Sequence, residues 1–244
     1  MNATLTKIDF TMGVRCTLTN KKANSLFWLG RYAERVYLSL HLLRKFYDSD
    51  IEASSSTAYE LYCKQLHIAF NALTPAKDIA KLLYDGEISN SLISGLKFAN
   101  DNALVLRGEL TSETLSYIQI ANYHMQACQA INEENITVLQ QITDSLLAFW
   151  GSAQERILSD TVRDFLFLGK YIERLDMEIR FGYSRERIIK TYYKVRKLVV
   201  DLKKACDENV VAKLDELVIA KSTVQDDSFN NLEILQALEG LFQI

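Results

Sequence analysis

The chain has 244 residues, enough to bury a sizeable core as one domain or as two close-packed halves. It holds one proline, Pro75, and nine glycines, where ordinary usage near 5% would supply about a dozen prolines; with both helix breakers scarce, the composition predicts an all-α protein, a multi-helix bundle of about eight to ten helices. A net charge of −3, with both signs interspersed, argues against a general nucleic-acid binder and against a membrane-surface role.

Residues 1–20 are Thr-rich with some alternation and favour extended or loose structure. Residues 25–43, SLFWLGRYAERVYLSLHLL, read as one long helix that continues to about Tyr47 and is broken by Asp48-Ser49-Asp50. Leu26, Leu29, Ala33, Val36, Leu40 and Leu43 form its apolar stripe. Trp28, Leu38 and Leu42 make the far side apolar too, which predicts a buried helix. Arg31 and Arg35 sit on that far side one turn apart, with Glu34 on the flank. Buried charges need partners, so this helix carries an Arg/Glu cluster into or beside the interior.

Ser54-Ser55-Ser56 supplies an N-cap for a helix through Asn71, and Pro75 suits the first turn of a short successor ending at Asp85-Gly86. Residues 88–107 read as the next helix, with Leu92, Leu96, Ala99, Ala103 and Leu106 inward. Asn100, Asp101 and Asn102 are poor helix formers in its middle, so either buried hydrogen bonds or a site is expected there, with Arg107 close by. This segment is expected to approach the first motif helix as a third wall of one site. Further helices follow over 112–131 and from a cap at Asn135 to about Leu158; Ser159-Asp160 caps the next.

That next helix repeats the first. Leu29-Gly30-Arg31-Tyr32-Ala33-Glu34-Arg35 matches Leu168-Gly169-Lys170-Tyr171-Ile172-Glu173-Arg174 at a constant offset of 139 (173 − 34), and Trp28 becomes Phe167. The two LG[RK]Y-x-ER helices are expected to pack together about an approximate two-fold axis, with Gly30 and Gly169 permitting close approach. Glu34 then pairs with Lys170 or Arg174, and Glu173 with Arg31 or Arg35, leaving positive charge over at the crossing. Beyond Ser184 the chain is more charged; residues 185–206, 209–221 and 228–241 read as helices, with a polar connection over 222–227.

Chemistry-bearing motifs are few. The cysteines Cys16, Cys63, Cys128 and Cys206 form no C-x-x-C pair, and His41, His67 and His124 are scattered, so buried reduced thiols and no metal site are expected. Glycine-rich phosphate loops, a G-x-S-x-G elbow and Glu-x-x-His pairs are missing, and no cofactor is expected. The N-terminus lacks the pattern of a signal peptide, and no run of about 18 apolar residues occurs; the expected location is cytoplasmic.

NSLFWLGRYAER and FLFLGKYIER resemble the two motif copies of the alpha-E domain family of bacterial proteins. The segment from Ala99 to Arg107, followed by Leu110-Thr111-Ser112-Glu113, is similar to that family's A-R-E-N-A-x-x-x-R…S-x-E segment, except that Asn100 stands where the first arginine belongs. The resemblance runs from about residue 18 to about 180. It makes residues 1–17 an N-terminal extension and 18–244 a single helical domain with an internal repeat, about 18–131 and 132–244. It implies an accessory role beside circularly permuted ATP-grasp and transglutaminase-like proteins, in amide ligation or peptide modification.

Three readings of the Arg/Glu cluster stay open. Arg31, Glu34, Arg35, Asp101, Asn102, Arg107, Lys170, Glu173 and Arg174 bind an anionic small molecule, peptide or partner surface by charge-assisted contacts. Alternatively, Glu34 or Glu173 is the general acid or base of an enzyme, although a carboxylate beside arginines is a poor base near neutrality. Finally, the motifs only hold the bundle together in a purely structural or dimerising helical protein, a homo-oligomer being the partner that reading expects.

Overall fold

The computed structural model describes residues 18–53, 57–69, 75–131, 139–219 and 230–243. The proposed extension 1–17, the Ser54–Ser56 cap, the Asn135 cap and the 222–227 connection lie outside the described residues.

Ten α-helices account for most of the described chain: α1 (Asn20–Ala53), α2 (Thr57–Gln65), α3 (Pro75–Tyr84), α4 (Leu92–Val105), α5 (Ser112–Ala130), α6 (Gln140–Arg156), α7 (Asp160–Arg180), α8 (Arg185–Asp201), α9 (Glu208–Leu214) and α10 (Asn231–Glu239). A 3₁₀ turn follows α8 at Lys203–Ala205, and a π-helical turn follows α9 at Asp215–Ile219. The described residues form no strand; an isolated antiparallel bridge joins Cys206 to Phe242. The all-α expectation holds.

Local chemistry accounts for most boundaries. Ser91 caps α4 and Ser159 caps α7, each hydroxyl accepting from a backbone N–H three residues on, at 3.3 and 3.4 Å. Asp160 at the start of α7 and Arg180 at its end complement the helix dipole. Pro75 opens α3, as expected.

Several boundaries depart from the sequence reading; the helix expected over 185–206 ends at Asp201, and the one expected over 209–221 gives way to the π-helical turn after Leu214. α1 does not break at Asp48-Ser49-Asp50 but runs on to Ala53. α4 begins at Leu92 rather than at 88, because Ser91 caps there and Ile88–Asn90 are in turns. The helix expected to reach Asn71 stops at Gln65. Ile68 N–H donates to Cys63 C=O at 2.8 Å and His67 N–H to Lys64 C=O at 3.3 Å, with His67 at φ 55°. That pair of bonds is a Schellman cap, usually closed by glycine and here by a histidine in the left-handed region.

α1 and α7 cross at the centre. α4 and α8 pack on α1 and α7 respectively, α5 and α6 pack on each other, and α10 rests against α7 and α9. α7 is buried nearly all round, from Val162 to Ile179, and Leu26, Leu29, Ala33, Val36, Leu40 and Leu43 of α1 are all buried, as their spacing predicts. Cys63, Cys128 and Cys206 are buried in this core. None of the described helices is long and apolar enough to cross a membrane.

Candidate functional site

The repeated string makes a reciprocal crossing. A Cβ placed on Gly30 would collide with the backbone carbonyl oxygen of Leu166 and lie 2.9 Å from the amide nitrogen of Lys170. A Cβ on Gly169 would collide with the Phe27 carbonyl oxygen and lie 3.1 Å from the Arg31 nitrogen. Each glycine therefore admits the other helix's backbone, and each touches the residue three before and the residue directly after its counterpart. This is the two-fold relation expected from the offset of 139.

At that spacing the glutamate of each copy reaches the arginine of the other. Glu173 accepts from Nε of Arg31 at 2.7 Å and from Nε of Arg35. Glu34 accepts from Nε of Arg174 at 2.7 Å and from its Nη2 at 2.5 Å, both at Oε1. Glu34 and Glu173 are both 0% exposed. Lys170, the counterpart of Arg31, does not join the ion pair; its ammonium stands 4.0 Å above the Trp150 ring.

The two halves are chemically unequal. Burial pushes the Glu173 carboxyl up, but Arg35 and Arg31 outweigh it and hold it below the usual range. Burial also pushes Glu34 up, and Arg174 and Lys170 offset only part of that, so its carboxyl stays raised. The neighbouring arginines thus make Glu173 the poor base expected of a carboxylate beside arginines, whereas Glu34 departs from that expectation. The cause is geometric: Arg174 bonds one oxygen only, and Glu34 Oε2 is buried with no hydrogen-bond partner among the described residues.

Lys170 shows the cost of burial from the other side. Its ammonium is pushed down to about 8, chiefly by desolvation. A lysine whose folded pKa lies below its unfolded value destabilises the fold in the charged form, and the penalty builds as pH falls from about 10.4 through 8. Lys170→Met should therefore raise stability by roughly 1 kcal/mol at pH 7, with the gain shrinking as pH rises past 8. Denaturant unfolding of both forms at pH 7 and pH 10 checks this.

On the Glu173 side the crossing opens into a recess of about 880 Å³ bordered by Trp28, Arg31, Arg35, Asp176, Arg180 and Phe242. Arg31 stacks over Trp28 at 5.5 Å and Phe27 at 6.0 Å, and Phe27 in turn stacks on Phe242 at 3.9 Å. Arg35 Nη1 donates to Asn90 Oδ1 at 3.1 Å, while Asn90 itself is tied to Leu66 C=O. Arg180 pairs with Asp176 at 2.7 Å. Because Arg31 bonds Glu173 only through Nε, its two terminal amino groups have no acceptor among the described residues.

The expected third wall is not there. Asp101 and Arg107 are exposed, and no ion pair or hydrogen bond joins either to the cluster among the described residues. Asn102 turns its amide back onto Phe98 C=O at 2.9 Å, within its own helix. Asp101 lies on the solvent side of α4, where weak helix propensity is tolerated, and Arg107 lies in the turn after it; α4 reaches α1 instead through its apolar face and through Phe98, 5.2 Å from the Tyr32 ring. The residues that do complete the site, Asn90, Asp176, Arg180 and Phe242, carry no sequence signal of their own.

Among the described residues no group of three or more His, Cys, Asp or Glu side chains is placed to hold a metal ion. No curated protein and no solved structure matches the chain. A family model does, over residues 18–203: Alpha-E, described as a predicted alpha-helical domain with a conserved ER motif. The repeated string contains two Glu-Arg dipeptides, Glu34-Arg35 and Glu173-Arg174, and the crossing gives that pairing a physical use, since each glutamate neutralises an arginine of the other copy. With three quarters of its length matched and both motif helices inside the match, the chain belongs to the Alpha-E family.

Proposed function

We propose that this protein is a non-catalytic binding or accessory protein whose Arg31 and Arg35 hold a carboxylate- or phosphate-bearing ligand, or an acidic partner surface. The observation that supports this is one buried carboxylate facing two guanidiniums: Glu173 takes the Nε of each and leaves Arg31's terminal amino groups toward an open recess. Two forked donors fixed by one buried acid suit bidentate capture of an oxyanion. Acid–base catalysis fits less well, because Glu34 and Glu173 are fully buried and neither borders the recess. The wider setting follows the family resemblance: a circularly permuted ATP-grasp protein and a transglutaminase-like protein as partners, in amide ligation or peptide modification.

Calorimetric titration with pyrophosphate and with succinate tests the reading. Saturable binding that Arg31→Ala weakens about tenfold or more, with the helical circular dichroism unchanged, is the expected result; one charge-assisted bidentate contact is worth about that factor. Absence of binding at millimolar anion, or binding that survives the loss of both Arg31 and Arg35, rejects it.

A further inference from the structure

The offset that relates the motif helices also relates two recesses. Adding 139 to Arg35, Tyr37 and His41 gives Arg174, Asp176 and Arg180. Arg35, Asp176 and Arg180 border the recess on the Glu173 side; Arg174, Tyr37 and His41 border another, of about 380 Å³, on the Glu34 side. The second recess thus shares these three related positions with the first, at a size that suits a small ligand.

Its contents have changed in a definite direction. Where the first recess has the self-neutralising pair Asp176–Arg180, the second has Tyr37 edge-on to His41, with ring centres 4.7 Å apart. Leu38, Leu42 and Met177 add apolar wall. The carboxylate comes instead from Glu178, whose counterpart in α1 is Ser39. Glu178 is 2% exposed; Oε1 accepts from Nε of Arg187 at 2.7 Å, and Oε2 has no hydrogen-bond partner among the described residues. Arg187 is fixed over the Tyr183 ring at 4.2 Å. A buried carboxylate oxygen without a donor is unfavourable, and a ligand N–H would relieve it. On the cationic side, Arg174 spends Nε and Nη2 on Glu34 and leaves Nη1 without an acceptor, and Lys45 stands exposed at the rim with no ion-pair partner among the described residues.

We propose that this recess is a second binding site, specific for a zwitterion on an apolar or aromatic body: a free amino acid or a dipeptide. Its ammonium donates to Glu178, its carboxylate meets Arg174 and Lys45, and its side chain lies against Tyr37, His41 and Met177. This site is separate from the Arg31/Arg35 recess and does not depend on that recess binding an anion.

The test is calorimetric titration of the full chain with phenylalanine, alanyl-phenylalanine, N-acetylphenylalanine and phenylalanine amide. Phenylalanine or the dipeptide should saturate the protein, and whichever binds tighter identifies the natural source. Both blocked forms should bind at least tenfold more weakly. Glu178→Gln should weaken the free-amine ligand at least tenfold while leaving N-acetylphenylalanine unchanged. Lys45→Ala, an exposed change that does not threaten folding, should weaken carboxylate ligands and leave phenylalanine amide unchanged. Arg31→Ala should alter none of these. Equal binding of blocked and free forms, binding indifferent to Lys45→Ala, or no saturation by any of the four at 10 mM on the order of a weak metabolite affinity overturns the proposal.

Discussion

Gly30→Ala should cost the fold roughly 3 kcal/mol, read as a drop in the midpoint of urea unfolding, although alanine is the better helix former by about 1 kcal/mol. The new methyl would meet backbone rather than a yielding side chain: the Leu166 carbonyl and the Lys170 amide nitrogen are both in its way. Relief requires α1 and α7 to move apart along the whole crossing, which strips packing from Leu26, Ala33, Leu166 and Ile172, all fully buried. Gly169→Ala should behave alike, since its methyl meets Phe27 and Arg31 backbone. Gly151 in α6 is the control. Nothing lies within 4 Å of a Cβ there, so Gly151→Ala should raise stability by up to about 1 kcal/mol. Equal small effects at all three positions would contradict the backbone contact.

Glu173→Gln should be the most damaging side-chain change, costing about 3–5 kcal/mol, because it strands two guanidiniums against each other with their shared counter-charge removed. Glu34→Gln should cost far less, about 1 kcal/mol, because Glu34 meets one arginine through one oxygen and its other oxygen is already unpaired. The pH dependence separates them further. Glu173 has a depressed pKa in the folded state, so its stabilisation is fully present above the unfolded carboxyl range near 4.3 and is lost as pH falls. Glu34 has a raised one, so its ionisation penalises the fold as pH rises through its titration. Removing Glu173 should flatten the acid limb of the stability curve, and removing Glu34 should lift the neutral end relative to the acid end. Matching losses with matching pH profiles would mean the two halves are equivalent.

The crossing was legible because the repeat carries its own geometry. One glycine, one acid and two bases recur in the same helical phase, so a two-fold contact at Gly30 and Gly169 forces Glu34 toward Arg174 and Glu173 toward Arg31 and Arg35. What the repeat hid is how the copies differ. Lys170 chooses the Trp150 ring over Glu34, and that choice depends on a residue 20 positions away in another helix. The 100–107 segment misled because propensity says that a residue is poor inside a helix, not which way it faces; Asp101 simply faces water. Asn90 and Phe242 reach the site through turns and a chain end whose path no periodicity encodes.

The exchange of acids between the two copies also sets an order on synthesis. α1 leaves the ribosome apolar on nearly every side, with Glu34 and Arg35 awaiting partners about 140 residues downstream. At about 5–20 residues per second, that wait lasts roughly seven to thirty seconds. No shorter nascent chain can satisfy the first motif, so the central crossing closes only after α7 has emerged, and the N-terminal half spends its whole early life as a surface in need of cover.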